Sequence, residues 1–340
     1  MLRIVLLVLS ILSLTGCYYM QAAQGQLELT RKREPIADIL NDEATPPELA
    51  SRLRLVQEAR RFSIEELGLP DNESYRSYAD IERDYVVWNV FAAEEFSLQP
   101  KTWCFPVAGC VSYRGYFSKE AAEREAEHLV AKGFDVATGG VVAYSTLGKL
   151  KDPVLSSMMN WDDVQLVAVL FHELAHQVLY VKGDSGFNES FATAVEEFGV
   201  YRWLEVRGEE REIKQYESSR ELRSQLMHLV AAARDDLSPV YAGELPDAEK
   251  RHIKKARLDL LAHDAATLLK SAGRDPGGWA GIELNNARLA SMVLYEGRLP
   301  EFRALLEQCD QQLQCFYQRA RELATESRGL KATWRPVAIH

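Results

Sequence analysis

Apolar and polar positions change rhythm several times along the chain. Residues 4–14, behind Arg3, form a nearly unbroken aliphatic run, too short to cross a bilayer as a helix and suited to the core of an export signal. From 18 to about 100 the pattern is mostly that of helices with polar connections, with amphipathic spacing at 49–56 and 59–62 and a turn at Asp71-Asn72-Glu73. Within 84–117 the texture shifts. Residues 85–93 and 113–117 are rich in aromatic and β-branched side chains, with turn signals between them, and read as strands. Ser118 opens a capped helix reaching Lys132, and Gly133 stops it. Residues 134–136 and 140–146 read as two further strands. The apolar run 164–171 then predicts a buried helix beginning near Asp162. Gly183, Asp184 and Gly186 end it and turn the chain into a second helical run from Asn188. From about 205 to Ala332 the pattern is helical, with turn clusters at 235–239, 243–246, 273–278 and 297–300.

These elements predict an α+β fold that is predominantly helical. A sheet-containing N-terminal part to about 160 holds a small mixed sheet, a helix pair spans 161–205, and a helical lobe covers 206–335. All of it forms a single domain over 17–340, behind a leader over 1–16. Composition adds little. The 340 residues are 47% hydrophobic and 26% charged, as in an ordinary globular chain, and the net charge of −10 argues against broad binding of nucleic acid.

Cysteines place the chain in the cell. Leu14-Thr15-Gly16-Cys17 resembles a bacterial lipobox, which implies cleavage before Cys17 and lipid on that residue. Tyr18 after the cysteine, by the usual sorting rule, directs such a lipoprotein to the outer membrane, facing the periplasm. Cys104, Cys110, Cys309 and Cys315 remain, an even count that suggests bridges in an oxidising compartment. Pro106 and Gly109 favour a small loop closed by Cys104 and Cys110. Cys309 and Cys315 fall in a helical run and can pair only if it breaks between them. Cross-pairing stays open. No CxxC spacing supports a thiolate zinc site.

The candidate chemistry lies on the buried helix. His172-Glu173-Leu174-Ala175-His176 puts two imidazoles one helical turn apart on one face, with Glu173 one position round from them. Glu189, in Asn188-Glu189 at the start of the next helix, returns beside them as a third ligand. Two histidines, a glutamate and an open position form the ligand set of catalytic zinc, Zn2+. Glu173 can then act as general base in peptide hydrolysis. Thr193 or Glu196 can orient a ligand histidine, although solvent-facing or packing roles fit them equally. The oxyanion needs a further donor. Candidates are Tyr144, Tyr180, Tyr201, Tyr241, Tyr295, His228, His252 and His263, with Tyr295 and Asn286 ranked first because they bring polarity to an apolar helix. The 140–146 strand is either an edge that receives an extended peptide or a plain core strand. Lys250–Lys255 reads as a solvated helix face.

The segment 18–26, the run Trp103–Cys110, Tyr113–Phe117, Ala143–Gly148 and the zinc motif together resemble the bacterial predicted-aminopeptidase lipoproteins over most of the chain. That resemblance implies a zincin-like fold of the gluzincin type and a zinc-dependent aminopeptidase acting on a peptide substrate, held to the membrane by its N-terminal lipid. Asn188–Ala192 is similar to the third-ligand segment of gluzincin aminopeptidases. The Gly-x-Met-x-Asn strand that binds the free amine in those enzymes is absent, and Gly140–Tyr144 stands roughly in its place. The resemblance therefore carries over the ligands and the base, but not the exopeptidase specificity. An envelope endopeptidase, or a non-catalytic lipoprotein with a structural zinc and a partner-binding lobe, are the competing readings. No oligomeric state is implied.

Overall fold

The computed structural model describes residues 18–105, 109–279, 284–326 and 333–334. The expected leader and the lipidation residue Cys17 lie outside them. A helix α1 over 18–31 is followed by β1 (Arg33–Pro35), α2 (Ile36–Asn41), α3 (Pro47–Glu65), β2 (Ser77–Ala79) and β3 (Val87–Glu94). Next come β4 (Trp103–Phe105), β5 (Gly109–Val111), β6 (Arg114–Tyr116), α4 (Lys119–Val130), β7 (Phe134–Val141) and β8 (Val154–Leu155). The remainder is α5 (Asp163–Val178), β9 (Leu179–Tyr180), α6 (Ser185–Arg207), α7 (Glu210–Ala242), α8 (Asp247–Ser271), α9 (Asn286–Glu296), α10 (Leu299–Gln308), α11 (Leu313–Glu326) and β10 (Thr333–Trp334). The chain is mainly helical with small sheets, an α+β arrangement.

Two three-stranded sheets replace the one expected. One is mixed, in the order β1-β2-β8, with β2 antiparallel to β1 and parallel to β8. The other is antiparallel, in the order β6-β3-β7. Strand β3 alternates along its length, as a pleated strand covered on both faces must. Val90 and Ala92 pack toward Ala122 and Leu129 of α4, whereas Phe91 and Ala93 pack toward Ala287 and Leu294 of α9. Helix α9 also packs on α6 and so ties this sheet to the central helices.

The reading of 134–136 and 140–146 as separate strands is corrected. Strand β7 is continuous because all eight residues of β3 template it, from Glu94 opposite Phe134 to Val87 opposite Val141. Where β3 ends the pairing ends, and residues 142–146 run on without strand partners. The short strands β1 and β2, too brief for a period to register, fall in the stretch whose pattern reads as mostly helical.

The main core is built around α5 and α6, which pack on each other, with α3 against both. Phe187 and Phe191 of α6 meet Phe302 of α10 and Phe316 of α11, with the Phe191 and Phe316 rings stacked at 5.7 Å. Each such ring contributes about 1.5–3 kcal/mol by leaving water. Gly199 is required for the close approach of α6, since a Cβ there would lie 2.7 Å from Leu67 Cδ1 and 2.8 Å from Phe171 Cδ2.

Cys104 and Cys110 face each other across β4 and β5 and are disulfide-bonded. Cys309 and Cys315 are also bonded, across the turn between α10 and α11. In the C-terminal part the expected break at 235–239 does not occur, and α7 runs through Pro239. Pro239 sits in the last turn, so the helix loses a single hydrogen bond there. Lys250–Lys255 is more than a solvated face: Lys254 donates to Asp135 at 2.6 Å and to the Glu95 carbonyl at 2.8 Å, and Arg251 grips the Glu95 carboxylate. These contacts clamp α8 to the β3–β7 sheet.

Candidate metal centre

Helix α5 starts where Asp162 accepts from the Gln165 N–H, an N-cap that satisfies one of the helix's free donors. Leu166, Leu170, Phe171 and Leu174 anchor it in the core. His172 and His176 project from it as neighbours, ring centroids 4.8 Å apart and nearly perpendicular. Helix α6 is capped by Asp184, which accepts from the Phe187 N–H at 3.1 Å. The buried Asn188 amide bridges both main-chain groups of Val181, accepting from its N–H at 2.7 Å and donating to its carbonyl at 2.9 Å. This double contact staples the reversal between the two helices. Its neighbour Glu189 is thereby returned to the histidines, which is the physical content of the Asn-Glu pair.

Glu189 Oε2 lies 3.2 Å from His172 Nε2 and 3.5 Å from His176 Nε2. One ligand atom from each of the three residues falls within 4.8 Å of the others, a group able to hold a metal ion. On the far side of the His172 ring, Nδ1 is 2.9 Å from Glu196 Oε2. With Nδ1 donating to Glu196, Nε2 is left to face Glu189 and His176, the arrangement in which it can ligate a metal. The other residue weighed for this role, Thr193, is buried in α6 without that contact. His176 Nδ1 is enclosed and holds no hydrogen bond among the described residues.

Electrostatics follow from this clustering. Burial pushes the His172 pKa down, but the bonds and charges of Glu189 and Glu196 outweigh it and raise the pKa to about 10. Burial likewise opposes ionisation of Glu189, yet the His176 charge and the His172 and His176 contacts lower its pKa to about 2. A buried carboxylate and two imidazoles held this close have the donor chemistry to bind a cation. Glu173, beside the cluster, has its pKa raised by burial first, with the nearby charges of Glu189 and Asp152 adding to the rise and those of the histidines opposing it.

The oxyanion candidates scatter. Tyr144 packs edge-on against Phe117 at 5.2 Å, and burial raises its hydroxyl to about 12, with the Asp152 and Tyr18 charges adding. Tyr180 lies in β9 near the Glu189 charge. Tyr241 donates to Asn286 Oδ1 at 3.0 Å, and Asn286 donates to the Glu95 carbonyl at 2.9 Å. Asn286 is thus a structural lock between α7, α9 and the end of β3, which accounts for its polarity. Tyr201, His228, His252 and His263 are exposed on helices α6 to α8. Tyr295 lies in α9, with its side chain outside the described residues.

Sequence reasoning missed the residues that cover the Glu173 face of α5. Asn72 Nδ2 donates to Gln177 Oε1 at 2.6 Å, and the Tyr75 N–H donates to the Asp152 carbonyl at 2.6 Å. Asp152 itself is buried, accepting from the Thr146 N–H at 2.9 Å and the Thr146 hydroxyl at 2.6 Å. No motif marks these residues, because their roles arise from contacts between distant loops.

Among the described residues no helix is long and apolar enough to cross a membrane. No curated protein and no solved structure matches the chain. A family model does match, over residues 17–333, and its description is "Putative aminopeptidase". With a match of that extent, the chain belongs to this aminopeptidase family.

Proposed function

We propose that the protein is a zinc metallopeptidase, and within that class an aminopeptidase held to the periplasmic face of the outer membrane by lipid on Cys17. The convergence of His172 Nε2, His176 Nε2 and Glu189 Oε2 carries the reading. Zinc bound by these residues supplies Lewis acidity, which polarises a carbonyl and acidifies water. Glu196 holds His172 in the ligating tautomer. Glu173, partly open to solvent, takes a proton from the attacking water as the water oxygen bonds to the scissile carbonyl carbon. It delivers that proton to the leaving amine as the C–N bond breaks. Glu173 makes no hydrogen bond among the described residues, so its carboxylate is uncommitted. A purely structural metal site has no use for such a base, and this argues against a non-catalytic lipoprotein.

Substrate enters as an extended chain. The main-chain groups of Ala143, Tyr144 and Ser145 hold no hydrogen bond among the described residues. They offer an unpaired edge, which an extended peptide can join. The family supports exopeptidase action. One observation favours an endopeptidase instead: Glu196 and Asp152, acids close to the cluster, are already engaged by His172 and by Thr146, leaving neither to hold a free α-amine.

Purified protein assayed on peptides with free and blocked amino termini separates these readings, with a chelator and Glu173→Gln as controls. The aminopeptidase reading requires loss of cleavage on blocking. Cleavage that tolerates the block moves the assignment to an endopeptidase, and absence of any metal-dependent cleavage removes the peptidase reading.

A further inference from the structure

Helix α1 follows Cys17 with no spacer, since its first residue is Tyr18. One flank of it is fastened to the folded body. Tyr18 stacks on Phe105 at 5.4 Å, meets Tyr116 edge-on at 5.6 Å and lies under the Arg114 guanidinium at 4.1 Å. Gln21 accepts from the Phe117 N–H at 2.9 Å. Gly25 passes so close to the Phe117 ring that a Cβ there would lie 2.1 Å from its Cγ. Near the end of the helix, Arg83 holds Glu28 at 2.7 Å and Leu29 is buried in the main core. A helix held at its start, middle and end cannot swing as a tether.

The opposite flank faces outward. Met20, Gln24, Leu27 and Arg31 follow the helical repeat and share one face, turned away from Tyr18, Gly25 and Leu29. Met20 is 61% exposed and Leu27 46%, with Tyr19 beside Met20 at 49%. From Tyr18 through Leu27 the helix carries no charged residue, in a chain that is 26% charged. Arg31 then closes the stripe. Apolar groups over two turns, ended by a cation, match the boundary between acyl chains and headgroups, where an arginine reaches back to phosphate.

We propose that this outward flank of α1 is a membrane seat. Tyr19, Met20 and Leu27 enter the headgroup region of the leaflet that holds the Cys17 lipid, and Arg31 pairs with lipid phosphate. The occupant follows from position: lipid on Cys17 brings the first turn of α1 to the bilayer, and the fastened inner flank leaves only the outer one to meet it. The domain is thereby held in one orientation. Phe117, which receives Gln21 and Gly25, also meets Tyr144 edge-on at 5.2 Å. One ring therefore separates the seated helix from the 143–145 segment offered above to peptide. The inference rests on the lipid anchor proposed for Cys17 and is independent of the metal.

Depth measurement tests it. Lipidated protein in vesicles of phosphatidylethanolamine and phosphatidylglycerol carries a nitroxide at Met20→Cys, at Leu27→Cys or, as a remote exposed control, at Leu260→Cys. The four other cysteines are paired and take no label. At 20 and 27 the ratio of collisions with oxygen to collisions with a water-soluble nickel chelate should exceed that at 260 several-fold. Position 27, about 10 Å further along the helix than 20, reports the flank rather than the anchor. A flexible Gly/Ser spacer inserted between Cys17 and Tyr18 should leave the ratio unchanged, because the flank holds itself to the bilayer. Labels that meet nickel as freely as at 260, or that enter lipid only without the spacer, overturn the proposal. Labels shielded from both agents overturn it as well, since a protein surface then covers the flank. The mass of the N-terminal peptide separates the two readings: water-exposed labels with lipid on Cys17 remove the seat alone, whereas Cys17 without lipid removes the anchor and the seat with it.

Discussion

Glu196 Oε2 sits 2.9 Å from His172 Nδ1, so the helix that brings Glu189 to one nitrogen of the His172 ring also places a carboxylate against the other. Glu196 lies two turns beyond Glu189 on the same face of α6. One rigid element therefore fixes both relationships, and a disturbance of α6 affects both sides of the His172 ring together.

Removing this orienting carboxylate should weaken the metal without unfolding the chain. Glu196→Ala is expected to lower zinc affinity roughly 10- to 100-fold, the usual effect of losing a group that holds a ligand histidine. Competition with a chromophoric chelator measures it. An unchanged affinity would mean that the His172 ring is held by packing alone.

The base should separate from the ligands in its behaviour. Glu173→Gln is expected to keep stoichiometric zinc while lowering kcat by about 10²- to 10⁴-fold, the contribution of a positioned proton acceptor. Metal analysis beside peptide kinetics tests this, and a matching loss of zinc would place Glu173 among the ligands.

Metal removal should expose a pH dependence peculiar to the empty site. The His172 pKa is raised from 6.5 to about 10, so its contribution to stability is fully present below pH 6.5 and is lost as pH rises toward 10. The Glu189 pKa is lowered from 4.5 to about 2, so its contribution is present above pH 4.5 and lost as pH falls toward 2. From this site, chelated protein is expected to be most stable between those limits and to lose melting temperature above pH 6.5. Zinc requires an unprotonated His172 Nε2, so the gain in melting temperature on adding zinc should grow over the same alkaline range. Thermal scans with and without chelator measure the two slopes, and parallel curves would show that the cluster does not bind the metal.

Asn188→Ala tests the staple between the helices. It leaves the N–H and carbonyl of Val181 without their side-chain partner, at about 1–3 kcal/mol for each buried group left unpaired. The variant should melt at lower temperature and bind zinc more weakly than wild type. Chemical denaturation and zinc titration report the two effects separately, and full zinc affinity in a destabilised variant would mean that Glu189 finds its place without the staple.

Much of the site could be read from the sequence because its information is local. A helix places His172 and His176 together by its own periodicity, and Gly183, Asp184 and Gly186 announce the reversal that returns Glu189. The same holds for the Ser118 cap of α4, the apolar run of α5 and the turns that separate α8 to α10, each set by neighbours a few residues away. Other features depend on segments that the chain brings together only on folding. Strand β7 extends as far as β3 templates it, which no residue of 134–146 encodes by itself. Asn286 reads as site polarity until Tyr241 and the Glu95 carbonyl are seen to consume it. Tyr75, Asp152 and Gln177 carry no motif, yet Arg60, Asn72 and the 145–152 loop gather them over Glu173. Spacing along α5 and the turn signals that follow it determined which residues can hold a metal; packing between distant loops decided which residues surround Glu173, because burial exists only once those loops have met.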